Sequence, residues 1–167
     1  MISLALAIFL NGLTASTIKT MKTLYLDLDG VIVDIVSHAK SRHGENVNIG
    51  KATSFDKDLF LNPPMIEGAL DAVTKLSEHY NLFFLSTAPW SNTNSWSHKR
   101  IWLQENLGKL AWKRLILSHR KDLLMGDYLV DDRIHNGAGD FKGLHIHFGQ
   151  EGFENWEKTL NFLMKNK

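Results

Sequence analysis

The chain has 167 residues and 19.0 kDa, about one domain on the usual prior of roughly 100–200 residues per domain. Hydrophobic residues make up 44% and charged residues 22%, which argues against disordered, collagen-like and coiled-coil chains. A net charge of +1 gives no basis for binding a nucleic-acid polymer or an anionic membrane. The lack of cysteine excludes disulfide scaffolds, Cys-ligated zinc, iron–sulfur clusters and cysteine nucleophiles.

Residues 1–20 open on the apolar run Ile2–Leu10 (ISLALAIFL), too short for a bilayer span of about 20 residues. No Lys or Arg precedes it, as a signal peptide would require. We read residues 1–20 as an N-terminal extension with Met21 as the working start, and the protein as cytoplasmic. Residues 2–13 keep export or membrane association open as the alternative.

Leu24-Tyr25-Leu26 then reads as a buried strand whose tip carries Asp27, Asp29 and the Gly30 turn. A helix is expected over residues 31–43. Residues 44–64 are polar and broken by Gly44, Gly50 and Pro63-Pro64, yet contain Phe55, Leu59, Phe60 and Leu61 for packing. Gly68 opens a helix with Ala69, Ala72, Val73 and Leu76 on one face. Leu82–Leu85 is a second strand ending at Ser86-Thr87. A polar loop from Pro89 to Ser97 leads to a helix through Ile101, Leu103 and Leu107. Strands follow at residues 115–117 and at residues 128–130, the latter ending in Asp131-Asp132. Leu144, Ile146 and Phe148 alternate as a fifth strand, which makes His145 and His147 its polar face. A last helix carries Trp156, Leu160 and Leu163.

Alternating strands and helices imply an α/β, Rossmann-like fold: a parallel sheet with helices on both faces. Such sheets bind ligands beyond the carboxyl ends of their strands. That geometry gathers Asp27, Asp29, Ser86, Thr87, Asp131 and Asp132 in one crevice. Four carboxylates there repel one another, and a hard divalent cation held by oxygen ligands, Mg2+, relieves the repulsion. Mg2+ suits phosphate chemistry. Asp27 can then act as nucleophile, Asp29 as acid and base, and the Thr87 hydroxyl as a phosphate contact. Lys99 or Lys121 can balance the charge.

These residues carry a family resemblance. Asp27-Leu28-Asp29-Gly30-Val31 resembles motif I of the haloacid dehalogenase-like superfamily, Phe84-Leu85-Ser86-Thr87 motif II, and Gly126–Arg133 motif IV. Thr87-Ala88-Pro89 and Val130-Asp131-Asp132-Arg133 are most similar to the 5'(3')-deoxyribonucleotidase branch. The resemblance spans about residues 22–150. It implies that Asp27 is nucleophile and metal ligand, and that Asp29 is acid/base with its carbonyl on Mg2+. Thr87 would be the phosphate hydroxyl, with Ala88 beside it. Lys99 aligns first with the motif III lysine and Lys121 second. Asp132 matches the direct metal ligand, with Asp131 next to it. The acid at position 29 disfavours dehalogenation.

The stretch between Asp29 and Thr87 exceeds the needs of one helix and one strand. Residues 35–64 are therefore expected to form a small helical cap inserted after the first strand, with residues 21–34 and 65–167 as the catalytic core. Such a cap suits a small-molecule phosphate ester, a nucleoside monophosphate above all, and Phe55, Phe60 and Trp90 are candidates to stack on its base. Ile35 departs from the aromatic residue that the branch tends to carry. The function expected is a Mg2+-dependent phosphatase of the 5'-nucleotidase type, working through an aspartyl-phosphate. A catalytically silent nucleotide-binding protein and a phospho-aspartate signalling module are the alternatives. A phosphotransferase and a homodimer are both compatible with the sequence.

Overall fold

The computed structural model describes residues 21–167. The readings on residues 1–20 therefore lie outside the described residues.

Five strands form one wholly parallel sheet: β1 (Thr23–Leu26), β2 (Asn81–Ser86), β3 (Leu115–Leu117), β4 (Tyr128–Asp131) and β5 (Leu144–His147), in the order β3-β2-β1-β4-β5. The chain moves outward from β1 to β3, then crosses back to place β4 on the other side of β1. That reversal opens a crevice at the carboxyl end of β1, where doubly wound sheets bind ligands. The register sets Leu26 level with Phe84 on one side and Val130 on the other. Asp27 and Asp131, each one residue further on, therefore end their strands at the same height.

Side chains alternate across the sheet, so each face has its own core. Leu24, Leu26, Phe84 and Val130 pack under α3 (Ala69–Ser77), α4 (Asn94–Leu107) and α5 (Trp156–Lys165). Tyr25, Leu85 and Leu129 face the opposite way, onto Ala138, Phe141 and Leu124. The sequence places helices on both faces; on this second face they are single 3₁₀ turns at Lys121–Leu123 and Ala138–Asp140. Short turns leave the strand ends close to the backbone that covers them, and one of those turns carries Lys121.

The helix expected over residues 31–43 begins later, as α1 (Ile35–His43). Val31, Ile32 and Val33 instead turn their amides onto the Leu28 carbonyl and bury their side chains, the first two in full. Their β-branched side chains tolerate this non-helical turn well. Asp34 then starts the helix, its carboxylate accepting from the Ser37 amide at 3.0 Å. Buried indoles and phenols find carbonyls: Trp102 Nε1 donates to Pro63, Trp156 Nε1 to Val31 and the Tyr80 hydroxyl to Leu163. Trp112 is exposed, as is Leu144 on the edge strand.

α1 and α2 (Ile49–Phe55) form a hairpin with its own small core of Ile35, Ala39, Ala52, Leu59 and Phe60. Asp56 ties it shut. Arg42 donates to both carboxylate oxygens, at 2.7 and 3.1 Å, His43 Nε2 lies 2.7 Å away, and the Asp58 amide donates at 3.0 Å. Burial pushes the Asp56 carboxyl up, but these donors outweigh it and hold it at about 2. An unfolded Asp titrates near 3.9, so the charge contributes about 2 kcal/mol. That stability is present above pH ~4 and is lost as pH falls through about 2. Asp56→Asn is thus expected to lower unfolding free energy by about 2 kcal/mol at pH 7 and by about half as much at pH 3, measured by urea titration. An equal deficit at both pH values would place the effect in packing rather than charge.

Candidate active site

Three carboxylates meet at the crevice: Asp27, Asp131 and Asp132 each offer an oxygen within 4.8 Å of the others. The alternation explains the first two. Asp27 continues the face of Tyr25, and Asp131 the face of Leu129, so both turn toward the 3₁₀ turn at Lys121. Lys121, 3% exposed, donates to Asp27 Oδ1 at 2.9 Å and to Asp131 Oδ2 at 2.5 Å. Burial pulls its ammonium down, and the two carboxylates more than reverse this, leaving it above the usual lysine range. Asp131 is further held by the Arg133 amide at 2.9 Å.

Asp29 takes a different partner. Its carboxylate turns to Lys99 Nζ at 2.5 Å, and Lys99 also donates to Ser86 Oγ at 3.0 Å. Lys99 is 2% exposed and lies 4.8 Å over the Phe60 ring. Burial raises the Asp29 carboxyl above the usual range; Lys99 pulls it back and the charge of Asp27 pushes it further up. Gly30 makes this turn possible. It sits at φ +82, and a Cβ there would overlap the Asp132 carboxylate.

The charges do not balance within the protein. Asp27, Asp29, Asp131 and Asp132 face Lys99, Lys121 and the half-exposed Arg133, whose guanidinium is 3.6 Å from Asp132. Burial first, and repulsion from Asp27 second, push Asp131 up to about 7 and Asp132 up to about 6. Asp132 Oδ1 is also buried without a hydrogen-bond partner. An orphaned carboxylate oxygen beside two other carboxylates is the donor set that a hard divalent cation takes. The residues present therefore fit such an ion, with Asp27 and Asp132 best disposed: Lys121 takes one Asp27 oxygen, whereas both Asp131 oxygens already accept, from Lys121 and from the Arg133 amide.

These groups line a cleft of about 300 Å³, whose walls include Ile35 and Thr53 from the hairpin and Thr87, Trp90 and His119 from the sheet side. Among the residues singled out from sequence, Asp27, Asp29, Thr87, Lys121 and Asp131 line it, and Asp132 offers an oxygen beside Asp27 and Asp131. The Thr87 hydroxyl donates to the Ser118 carbonyl at 2.8 Å, and Ala88 is fully buried behind it. Lys99, the first choice for the lysine beside the nucleophile, is not there: α4 carries it on the opposite face of the sheet, and Lys121 holds that position. Phe60 is corrected as well. It is 2% exposed inside the hairpin core, and Phe55 turns outward against His43. Neither ring reaches the cleft. His145 and His147 stack on each other, and His147 Nε2 donates to the Asp132 carbonyl at 3.0 Å, so they brace the site more than they face water.

Sequence reasoning overlooked Asn92 and His119. Asn92 is fully buried and donates to the Thr53 and Asp56 carbonyls, at 3.1 and 2.8 Å, which pins the loop after β2 to the hairpin. His119 meets Trp90 edge-on and Trp96 at a tilt at the rim. Both depend on long-range contacts with no local signal.

A parallel sheet with carboxylates on two neighbouring strand tips and a lysine between them fits the class that comparison with known proteins shows, the haloacid dehalogenase-like phosphatases, which are phosphoric monoester hydrolases. Comparison with known proteins carries this to a family. Residues 51–159 match the family described as 5' nucleotidase, deoxy (pyrimidine), cytosolic type C. A Vibrio phage KVP40 protein, described as a candidate 5'(3')-deoxyribonucleotidase, is 41% identical over 152 residues, covering 87% of this chain and 86% of that one. The 5'(3')-deoxyribonucleotidase of Bacillus subtilis strain 168 is 30% identical over 103 residues, covering 62% of this chain and 59% of that one. Among solved structures, a haloacid dehalogenase-like family hydrolase from Xanthomonas campestris overlays with a TM-score of 0.48 at 9% identity, over 77% of this chain and 84% of that one. The chain belongs to the 5'(3')-deoxyribonucleotidase family. No helix among the described residues is long and apolar enough to cross a membrane.

Proposed function

We propose that this protein is a Mg2+-dependent phosphatase that releases phosphate from a small phosphomonoester, a deoxyribonucleoside monophosphate, through a phosphoryl group carried on Asp27. The observation that carries the reading is the convergence of Asp27, Asp131 and Asp132, with Lys121 bridging the first two. The names of the phage and Bacillus relatives support the substrate class.

Asp27 lies at the floor of the cleft with one oxygen held by Lys121, which orients the other for attack on phosphorus. As the Asp27 O–P bond forms, the bond from phosphorus to the ester oxygen breaks. Asp29, with its raised carboxyl, supplies the proton that this leaving oxygen needs. The alcohol departs and water takes its place. Asp29 then removes a proton from that water as it attacks the phosphoryl group, which frees inorganic phosphate and restores Asp27. Lys99 keeps Asp29 aimed through both halves. Lys121 offsets the negative charge of the incoming ester, and the backbone at Thr87 and Ala88 cradles the phosphoryl oxygens. Asp27 and Asp132 would hold a divalent cation, with the Asp29 carbonyl as the further ligand that the family resemblance implies, and the ion would supply charge neutralisation at the phosphoryl oxygens. The hairpin over residues 35–64 serves as the cap that limits the site to small esters.

The test is phosphate release from deoxyribonucleoside monophosphates by the full chain, with and without chelator. EDTA is expected to lower the rate to background and added Mg2+ to restore it. Undiminished turnover in chelator would overturn the metal requirement. Binding of nucleotide without any release in Mg2+ would favour a silent binding protein instead.

A further inference from the structure

The cleft has a phosphate end, where Asp27 and Lys121 sit, and an open rim with an unusual aromatic composition. Trp90 is 80% exposed at that rim. It is not loose. Its ring meets Trp96 edge-on at 6.3 Å and His119 at 5.9 Å, and Trp96 and His119 lie 6.0 Å apart. Its loop is fastened to the hairpin through Asn92, and through Lys57 Nζ donating to the Ser91 carbonyl at 2.7 Å. An exposed indole braced on two sides and set in a pinned loop is a stacking surface already held in place, so a planar ring can cover it at small entropic cost.

The opposite wall offers no competing ring. Ile35 and Thr53 line it, Phe60 is sealed inside the hairpin, and Phe55 points away. We propose that Trp90, braced by Trp96 and His119, is the platform on which the base of the substrate stacks. Base recognition then comes from the sheet-side loop after β2 and not from the aromatic residues of the cap. The inference rests on the phosphatase reading above and adds what that reading leaves open: which residue holds the base, and that a single exposed side chain sets the preference for a base. Every nucleobase presents a π-face, so the platform selects for a base over no base and not for one base over another.

The experiment compares deoxyadenosine 5'-monophosphate and thymidine 5'-monophosphate, whichever is the better substrate, with deoxyribose 5-phosphate. The last has the same sugar and phosphate but no base. The readout is the ratio of kcat/KM for nucleotide to that for sugar phosphate. Trp90→Ala is expected to lower this ratio about tenfold or more, with the loss mostly in KM, and Trp90→Phe to restore most of it. In the Asp27→Asn background, calorimetry is expected to show the same weakening of nucleotide binding on adding Trp90→Ala. Trp90 is mostly exposed, so its removal leaves the fold intact, which circular dichroism checks. A ratio unchanged within threefold overturns the inference. So does a wild-type enzyme that hydrolyses both esters equally well, and in that case the phosphatase reading stands. No phosphate release from either ester overturns both.

Discussion

Asp27→Asn is expected to reduce phosphate release by three orders of magnitude or more, since an amide cannot carry the phosphoryl group and ligates a cation poorly. The substitution is close to isosteric, and Lys121 can still donate to the amide oxygen, so the fold should survive. Acid-quenched wild-type enzyme is expected to show a phosphoryl adduct on the peptide containing Asp27, and the variant none. A variant that keeps full turnover would end the covalent role. An adduct on another residue would move the nucleophile elsewhere in the cleft.

The second large effect is expected at Lys121. Replacing it by Met keeps most of the volume but leaves Asp27 and Asp131 facing each other in a buried site without their cation. Loss of this group should lower kcat/KM by about a hundredfold or more, as removal of a preorganised charge at a reacting centre does. It should also destabilise the metal-free protein by about 3–5 kcal/mol, the range for breaking a buried ion pair from one side. The pH dependence has a definite sign. Asp131 is already pushed up to about 7 with Lys121 in place, and loss of the ammonium moves it further up. The folded variant then binds more protons than the unfolded chain between about pH 4 and the raised value, so its stability falls as pH rises through that window. The deficit against wild type in urea unfolding is expected to be larger at pH 8 than at pH 5.5. A deficit below about 1 kcal/mol at both would show that Lys121 bears little of the charge balance.

The strands were legible because fully buried parallel strands read as short apolar runs, and the tips were legible because acidic and hydroxyl residues follow those runs directly. Leu24–Leu26 before Asp27, and Tyr128–Val130 before Asp131, are of this kind. The start of α1 was less so. Val31–Val33 run directly into the helical segment in the sequence but serve as a turn onto the Leu28 carbonyl, and only Asp34 marks the true beginning. The aromatic residues were least legible. Phe55, Phe60 and Trp90 look alike in the sequence, but one is outside, one is sealed in the hairpin and one is at the rim of the cleft.

By itself, then, the sequence determined the class of fold, the family and the set of acidic side chains, since each depends on a local pattern that repeats at strand ends. It left two lysines in contention, because both lie between the same two motifs. The pleat decides between them. Asp27 and Asp131 fall on the face covered by the 3₁₀ turn, and Ser86 falls on the face covered by α4. Lys121 meets the first pair and Lys99 reaches Asp29 and Ser86, a parity that exists only once the strands are in register.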